Sequence, residues 1–299
     1  MSVNQNGTVW ADGALREWTE VSVPLMSDAI MRSVAVFEGM RADRRDDGRI
    51  RLLCGAAHVQ RLYASARALR LTLRWTPEQI LSAAATVAAA ELDATGGRIA
   101  YVRPMLLGAA VTGDGGPHSL TIAAFVQDDT EPAPIRAQIS ALRRPEADQL
   151  PPQIKAIANY QLTRLARLTA KAAGYHDALL LNRQGRLAEA AGAAVLVEHG
   201  GRVLTPPEWE GCLRSITVDA IERIAAEAGI PFAREPIPLA TLTAADGVAL
   251  AGTLADLVEV SAVDDLAISG GSQIAALRRH YRDGLNGGAY AKLLDFDEF

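Results

Sequence analysis

Apolar residues at Val59, Leu62, Tyr63, Ala66 and Leu69 fall at helical spacing and predict a helix over 56–69, with Arg61 and Arg67 on its other faces. A second helix is marked by Thr76 as N-cap with Pro77 at the first helical position, and it runs to about Leu92. Around these two the apolar period shortens to that of strands. GTVWADGALREWTEVSV predicts a hairpin turning at Ala11-Asp12-Gly13, where Asp-Gly supplies the positive φ of a tight turn. VAVFEGMRA predicts a strand whose apolar run is interrupted by Glu38 and Gly39, followed by a polar turn over 44–48 and the return strand RIRLL. A glycine inside a strand marks close approach of other atoms. RIAYVRPMLLG and SLTIAAFVQ are two further strands, and Tyr101 and Arg103, two apart, share one face of the first.

Charge, two prolines and a change of pattern make 128–135 a linker between an N-terminal domain, 1–127, and a larger C-terminal domain, 136–299. The second half opens on a strand near 137–142. A polar loop then delivers Lys155, and Asn159 is placed to cap the helix YQLTRLARLTAKAAG, which closes on Gly174. DALLLN predicts a buried strand, 195–205 a hairpin around Gly200-Gly201, and the segment near Thr217 a helix ended by Gly229. LATLTAADGVALAGTLADLVEVSAVDD supplies a helix and strands, and GGSQIAALRRHYRDGL a last helix. The mixture reads as an α+β fold in two lobes.

Composition narrows the function classes. The chain has 299 residues, 49% hydrophobic and 22% charged, which fits a soluble globular protein with a large core. A net charge of −5, with arginines interleaved among acids, gives no basic face for nucleic acid. Cys54 and Cys212 stand far apart with no CxxC pair or His cluster, so neither a metal site nor a disulfide framework is expected, and a cytoplasmic setting follows. MSVNQNGTVW lacks the basic start and apolar run of a signal peptide, and no apolar run is long enough to span a membrane.

Only three of the 30 Lys and Arg residues are lysines: Lys155, Lys171 and Lys292. An amine that can lose its proton condenses with an aldehyde; a guanidinium does not. Lys171 sits near a helix C-terminus, where a cation complements exposed carbonyls, and Lys292 lies in an acidic, Gly-rich tail. Lys155 is flanked by Ile154, Ala156 and Ile157, an apolar setting that favours the neutral amine. Within the same half of the chain stand a carboxylate between alanines, Glu189, and a helix start at Ile216 and Thr217, where unpaired amides favour an anion. Lysine, carboxylate and anion site are the requirements of an enzyme that uses pyridoxal phosphate (PLP).

In their order, FEGMR (37–41), HVQRL (58–62), YVRP (101–104), KAIANY (155–160), DALLLNRQGRLAEAAG (177–192), TPP (205–207), SITVDAI (215–221) and the Gly252-Thr253 pair resemble the fold type IV, or class IV, PLP-dependent aminotransferases. The resemblance is to the D-amino acid and branched-chain aminotransferase-like architecture, and closest to the branched-chain enzymes. It implies that Lys155 is the Schiff-base lysine and proton shuttle, that Glu189 pairs with the pyridine nitrogen, and that Tyr160 hydrogen-bonds the phenolic oxygen. It assigns the cofactor phosphate to Arg61, the amides of Ile216 and Thr217, and the Thr253 hydroxyl. Tyr101 and Arg103 correspond to residues near the substrate carboxylate, Phe37 and Gly39 to the pocket wall, and Arg41 to a family arginine that serves either substrate or structure. A homodimer acting on an amino acid and a 2-oxo acid is implied.

Several positions depart from the family pattern. Arg32-Ser33 replaces a Tyr-Gly pair, Gly192-Ala193-Ala194 a Gly-Glu-Asn, and Arg214-Ser215-Ile216-Thr217-Val218 a Pro-Gly-Ile-Thr-Arg; Leu254 stands where a small residue is usual. One expectation is that Arg32 lines the side-chain pocket and selects a more polar substrate. The other is that Arg32 pairs with a carboxylate of its own chain and leaves the pocket apolar. An aminodeoxychorismate lyase-like enzyme, a non-catalytic PLP-binding relative and a binding module without cofactor are the rival readings.

Overall fold

The structure is a computed structural model and describes residues 7–109 and 118–299; residues 1–6, the start of the segment read for a signal peptide, lie outside the described residues. The chain divides into two compact units. The first takes the residues up to Thr130 together with Ile154–Ala158 and Asp295–Phe299, and the second takes Glu131–Gln153 and Asn159–Leu294.

In the first unit, strands β1 (Thr8–Ala11), β2 (Ala14–Glu17), β3 (Ala35–Phe37), β4 (Met40–Arg44), β5 (Ile50–Leu53), β6 (Ile99–Gly108) and β7 (His118–Gln127) form one antiparallel sheet, and the chain's last strand, Phe296–Glu298, pairs with β5. The β1–β2 hairpin turns at Asp12 and Gly13, both at positive φ. A short helix, α1 (Asp28–Met31), precedes β3. Helix α2 (Gly55–Ala68) and helix α3 (Pro77–Thr95) bury Val59, Leu62, Ile80, Ala84 and Val87 in one core with Val36, Met40, Leu52 and Val102 of the sheet. Thr76 caps α3 as the sequence predicts: its hydroxyl accepts from Gln79 N at 3.3 Å and its amide donates to the Gln79 side chain at 2.8 Å.

β3 and β4 run along β6 in a single register, with Phe37 opposite Met105 and Met40 opposite Val102. They are two strands because Pro104 of β6 has no N–H to give at that level. Its carbonyl accepts from Glu38 N at 2.9 Å, and the ladder lapses over Glu38 and Gly39. The continuous register puts Phe37, Gly39 and Arg41 on the same face as Tyr101 and Arg103, while Glu38 points with Val36 and Met40 to the side covered by α2 and α3.

The second unit holds a mixed sheet of β8 (Ile135–Arg143), β9 (Asp177–Leu181), β10 (Arg186–Ala190), β11 (Ala194–His199), β12 (Arg202–Thr205), β13 (Phe232–Arg234), β14 (Ile237–Pro238), β15 (Gly247–Gly252), β16 (Asp256–Val263) and β17 (Leu266–Ala267). β8 pairs in parallel with both β9 and β16, and the unbroken burial of Asp177–Leu181 is that of a strand covered on both faces. Helix α4 (Tyr160–Ala172) lies on β8 and β9. Helix α5 (Ile216–Glu227), helix α6 (Leu239–Thr243) and helix α7 (Ser272–Leu285) complete the unit, with α5 against α7 and β15. Each unit mixes helices with mainly antiparallel sheet, an α+β architecture.

Three expectations change. Lys155, placed by sequence in a domain spanning 136–299, belongs to the first unit, because its carbonyl accepts from Phe37 N at 3.1 Å and Ala156 bridges Val36. The C-terminal strand, to which the sequence analysis assigns no element, joins β5 in the same unit. Asn159 does not cap α4: it ends a 3-10 turn at helical φ and ψ, and its side-chain amide donates to Pro151 O at 2.9 Å.

Candidate active site

In the first unit Lys155 is fixed through its backbone. Its amide donates to the Ser65 hydroxyl of α2 at 3.1 Å and its carbonyl accepts from Phe37 N. The side-chain nitrogen stands 4.9 Å from the centre of the Phe37 ring, and the Arg103 guanidinium carbon stands 4.3 Å from the same centre. Phe37 is therefore the surface against which both side chains rest. Beside it, a Cβ added to Gly39 would fall inside the Tyr101 ring, so the absence of a side chain at 39 is what lets the tyrosine lie over the strand. Arg41, on the same face, donates from Nε to Asp43 Oδ1 at 2.9 Å, and Arg51 approaches the other oxygen of that carboxylate at 3.4 Å.

On the opposite face, Glu38 is fully buried. Arg61 donates to it from Nε at 2.6 Å and from Nη2 at 2.9 Å, and His58 Nδ1 lies 2.7 Å from Oε2. Burial pushes the Glu38 carboxyl up, but the charge and hydrogen bonds of Arg61, with His58 adding to them, bring it down to about 2. Burial in turn lowers the His58 pKa against the pull of Glu38. Arg61, a predicted phosphate ligand, thus holds a carboxylate by one edge of its guanidinium.

In the second unit Glu189 projects from β10 beside an irregularity in its pairing with β9. Its Oε1 lies 3.1 Å from Arg144 Nε, and its Oε2 accepts from Leu213 N at 3.1 Å. Arg144, its side chain only 3% exposed, also donates from Nε to Gly211 O at 3.1 Å and from Nη1 to Asn159 O at 3.4 Å. One guanidinium therefore ties the carboxylate to the 211–213 loop and to the entry of α4, whose first residue is the half-buried Tyr160. Burial pushes the thiol of Cys212, in the same loop, up to about 12, which disfavours the thiolate.

Three residues beyond Leu213 the chain enters α5. Ser215 caps it, its hydroxyl accepting from Val218 N at 3.2 Å, and the first backbone bond of the helix runs from Asp219 N to Ser215 O. The amides of Ile216 and Thr217 precede that bond and stand where the helix dipole favours an anion. Thr253 sits in a turn between β15 and β16 closed by Ala255 N donating to Gly252 O at 3.0 Å.

Of the residues singled out by sequence, the structure gathers Phe37, Gly39, Tyr101, Arg103 and Lys155 in one unit, with Arg61 behind them, and Glu189 with the approach to Ile216 and Thr217 in the other. Arg32 is not a buried pocket residue within the chain. Its side chain is 65% exposed and pairs with Asp28 one helical turn before it. Arg41 pairs with Asp43. Sequence reasoning overlooked Arg144, which sits in a run of arginines with no motif to mark it, and gave no role to Glu38 or His58, although both lie in quoted motifs.

The amino-transferase class IV family matches residues 35–263. The branched-chain-amino-acid aminotransferase of Escherichia coli K12 is 27% identical over 281 residues, covering 91% of this chain and 89% of that protein. The branched-chain aminotransferase of Thermoproteus uzoniensis, solved with norvaline, superposes with a TM-score of 0.88 at 27% identity, covering 97% of this chain and 98% of that one. The branched-chain enzyme of Thermobaculum terrenum, solved in its PLP form, gives 0.87 at 27% identity over 98% and 99% of the two chains. A family match running from β3 to the end of β16 takes in both the Lys155 frame and the Glu189 loop, and with it the chain belongs to the class IV aminotransferases.

Proposed function

We propose that this class IV aminotransferase moves an amino group between a branched-chain-like amino acid and a 2-oxo acid with pyridoxal 5′-phosphate as cofactor. One observation carries the reading. Leu213 N binds the Glu189 carboxylate of β10, and the same loop runs in three residues to the amides of Ile216 and Thr217, so the segment that aims a partner for a ring N–H also forms a cradle for a phosphate. That donor set fits the cofactor's two polar ends.

When bound, the cofactor supplies an electron sink for the bonding pair released at the substrate Cα. Lys155 supplies the amine that holds the aldehyde and then carries the proton from and to that carbon. Glu189, aimed by Arg144 and Leu213 N, would face the ring nitrogen and hold a proton there. Tyr160 orients the phenolic oxygen. Arg61, the Ile216 and Thr217 amides and the Thr253 hydroxyl bind the phosphate. Tyr101 and Arg103 receive the substrate carboxylate against the wall made by Phe37 and Gly39. The protein works as a cytoplasmic homodimer; among the described residues no helix is long and apolar enough to cross a membrane.

Half-reactions of the PLP-loaded protein, followed by cofactor absorbance with leucine, glutamate and aromatic donors, test the reading. Conversion fastest with leucine, and unchanged in Arg32→Tyr, supports a branched-chain-like donor. Conversion fastest with glutamate, lost in Arg32→Tyr, restores the polar pocket, and no conversion with any donor overturns the assignment.

A further inference from the structure

We infer that Glu38 is a positioning residue for the cofactor's phosphate, acting through Arg61; the inference rests on the reading of Arg61 as a phosphate ligand. Glu38 is wholly buried and takes two hydrogen bonds from one edge of the Arg61 guanidinium and a third contact from His58. His58 and Arg61 are one turn apart on α2, so both reach a single carboxylate from the same face of the helix. Ser65 lies a turn further along that face and receives the Lys155 amide.

Stability alone is a poor reason for this arrangement. A buried ion pair is commonly matched or exceeded by apolar side chains of similar volume, so its presence in the first unit's core asks for another use. Arginine is long and flexible, and a free guanidinium would have to be ordered each time an anion arrives. A carboxylate that grips one edge fixes the plane of the guanidinium beforehand and leaves its geometry suited to a second oxyanion partner. Glu38 directly follows Phe37, the last residue of β3, whose amide is bound to the Lys155 carbonyl. Glu38 thereby sets the phosphate grip and the lysine backbone in one register, at the residue where the ladder lapses.

The test separates phosphate recognition from folding by comparing apoprotein affinity for PLP with that for pyridoxal, which lacks the phosphate. Wild-type protein should prefer PLP, and Arg61→Ala should reduce that preference. Glu38→Gln should reduce the PLP-to-pyridoxal affinity ratio by about tenfold or more, as loss of a charge-assisted hydrogen bond does. Affinity for pyridoxal should change far less. Glu38→Asp, which retains the charge but withdraws it from Arg61, should lower the same ratio and serves if Glu38→Gln does not fold. In the Arg61→Ala background neither Glu38 change should alter the ratio further. If the Glu38 variants keep the wild-type ratio while Arg61→Ala loses it, the positioning role is wrong. If Arg61→Ala itself keeps the ratio, the phosphate assignment of Arg61 fails and the inference goes with it.

Discussion

Arg144 Nε lies 3.1 Å from Glu189 Oε1, and the same nitrogen donates to Gly211 O at 3.1 Å. The pair sets the direction of a carboxylate whose other oxygen is held by Leu213 N, and it does so from a guanidinium almost wholly removed from water. Replacing Arg144 by Met leaves Glu189 facing a region that no longer compensates its charge. Loss of one partner of a buried pair costs about 3 kcal/mol or more. The expected result is a lower unfolding midpoint together with weaker retention of PLP on dialysis. Glu189→Gln, which keeps the shape and removes the charge, should instead bind PLP and lose about a hundredfold or more in kcat, the scale of losing an electrostatic partner of developing charge.

Gly39 and Tyr101 offer a second test. Any side chain at 39 enters the space of the Tyr101 ring, and the ring, 6% exposed, has little room to retreat. Gly39→Ala should fold, because its φ lies outside the left-handed region, and should displace Tyr101. Steady-state kinetics should show kcat/KM down by about tenfold to a hundredfold, as misplacement by an ångström does, with the cofactor spectrum unchanged.

Glu91 on α3 is buried against β7, and burial raises its pKa although the Val126 backbone bond opposes the shift. A carboxyl whose folded pKa is raised favours folding only while protonated. Its contribution is complete below the unfolded value and is lost as pH rises through the folded one. The unfolding midpoint of Glu91→Gln should therefore gain on that of the wild type as pH rises from 4 to 7. A difference that stays constant with pH would show that Glu91 does not titrate on folding.

Glu38 has the opposite sign. Its folded pKa of about 2, below the ordinary 4.5, means that its contribution is complete above 4.5 and is lost as pH falls toward 2. A shift of that size corresponds to about 3 kcal/mol. Denaturant titrations between pH 5 and pH 3 should show the wild type losing more stability than Glu38→Gln.

Local patterning made most elements legible. The Thr76-Pro77 start of α3, the Asp12-Gly13 turn and the fully buried β9, four of whose five residues are apolar, follow from capping, turn chemistry and unbroken burial, all local rules. What the sequence hid depends on distant partners. Lys155 joins the first unit through bonds to Phe37 and Ser65, 118 and 90 residues away in the chain, which no pattern around 155 announces. The strand Phe296–Glu298 lies in an acidic tail and exists because β5 offers it an edge. Asn159 looks like a cap by residue type, yet its backbone is already helical after the 3-10 turn, and an N-cap residue needs non-helical φ and ψ. Among the site residues, Lys155 and Glu189 stood out by rarity and by apolar surroundings. Arg144 was invisible because a buried arginine reads like an exposed one until its carboxylate is located.

Reduction of the PLP-loaded protein with borohydride, followed by peptide mapping, tests the central claim most directly. The cofactor should be fixed covalently to Lys155, in the peptide that carries Ala156 and Tyr160, and Lys155→Ala should give no fixed cofactor. Fixation on Lys171 or Lys292, or on no lysine, would contradict the account.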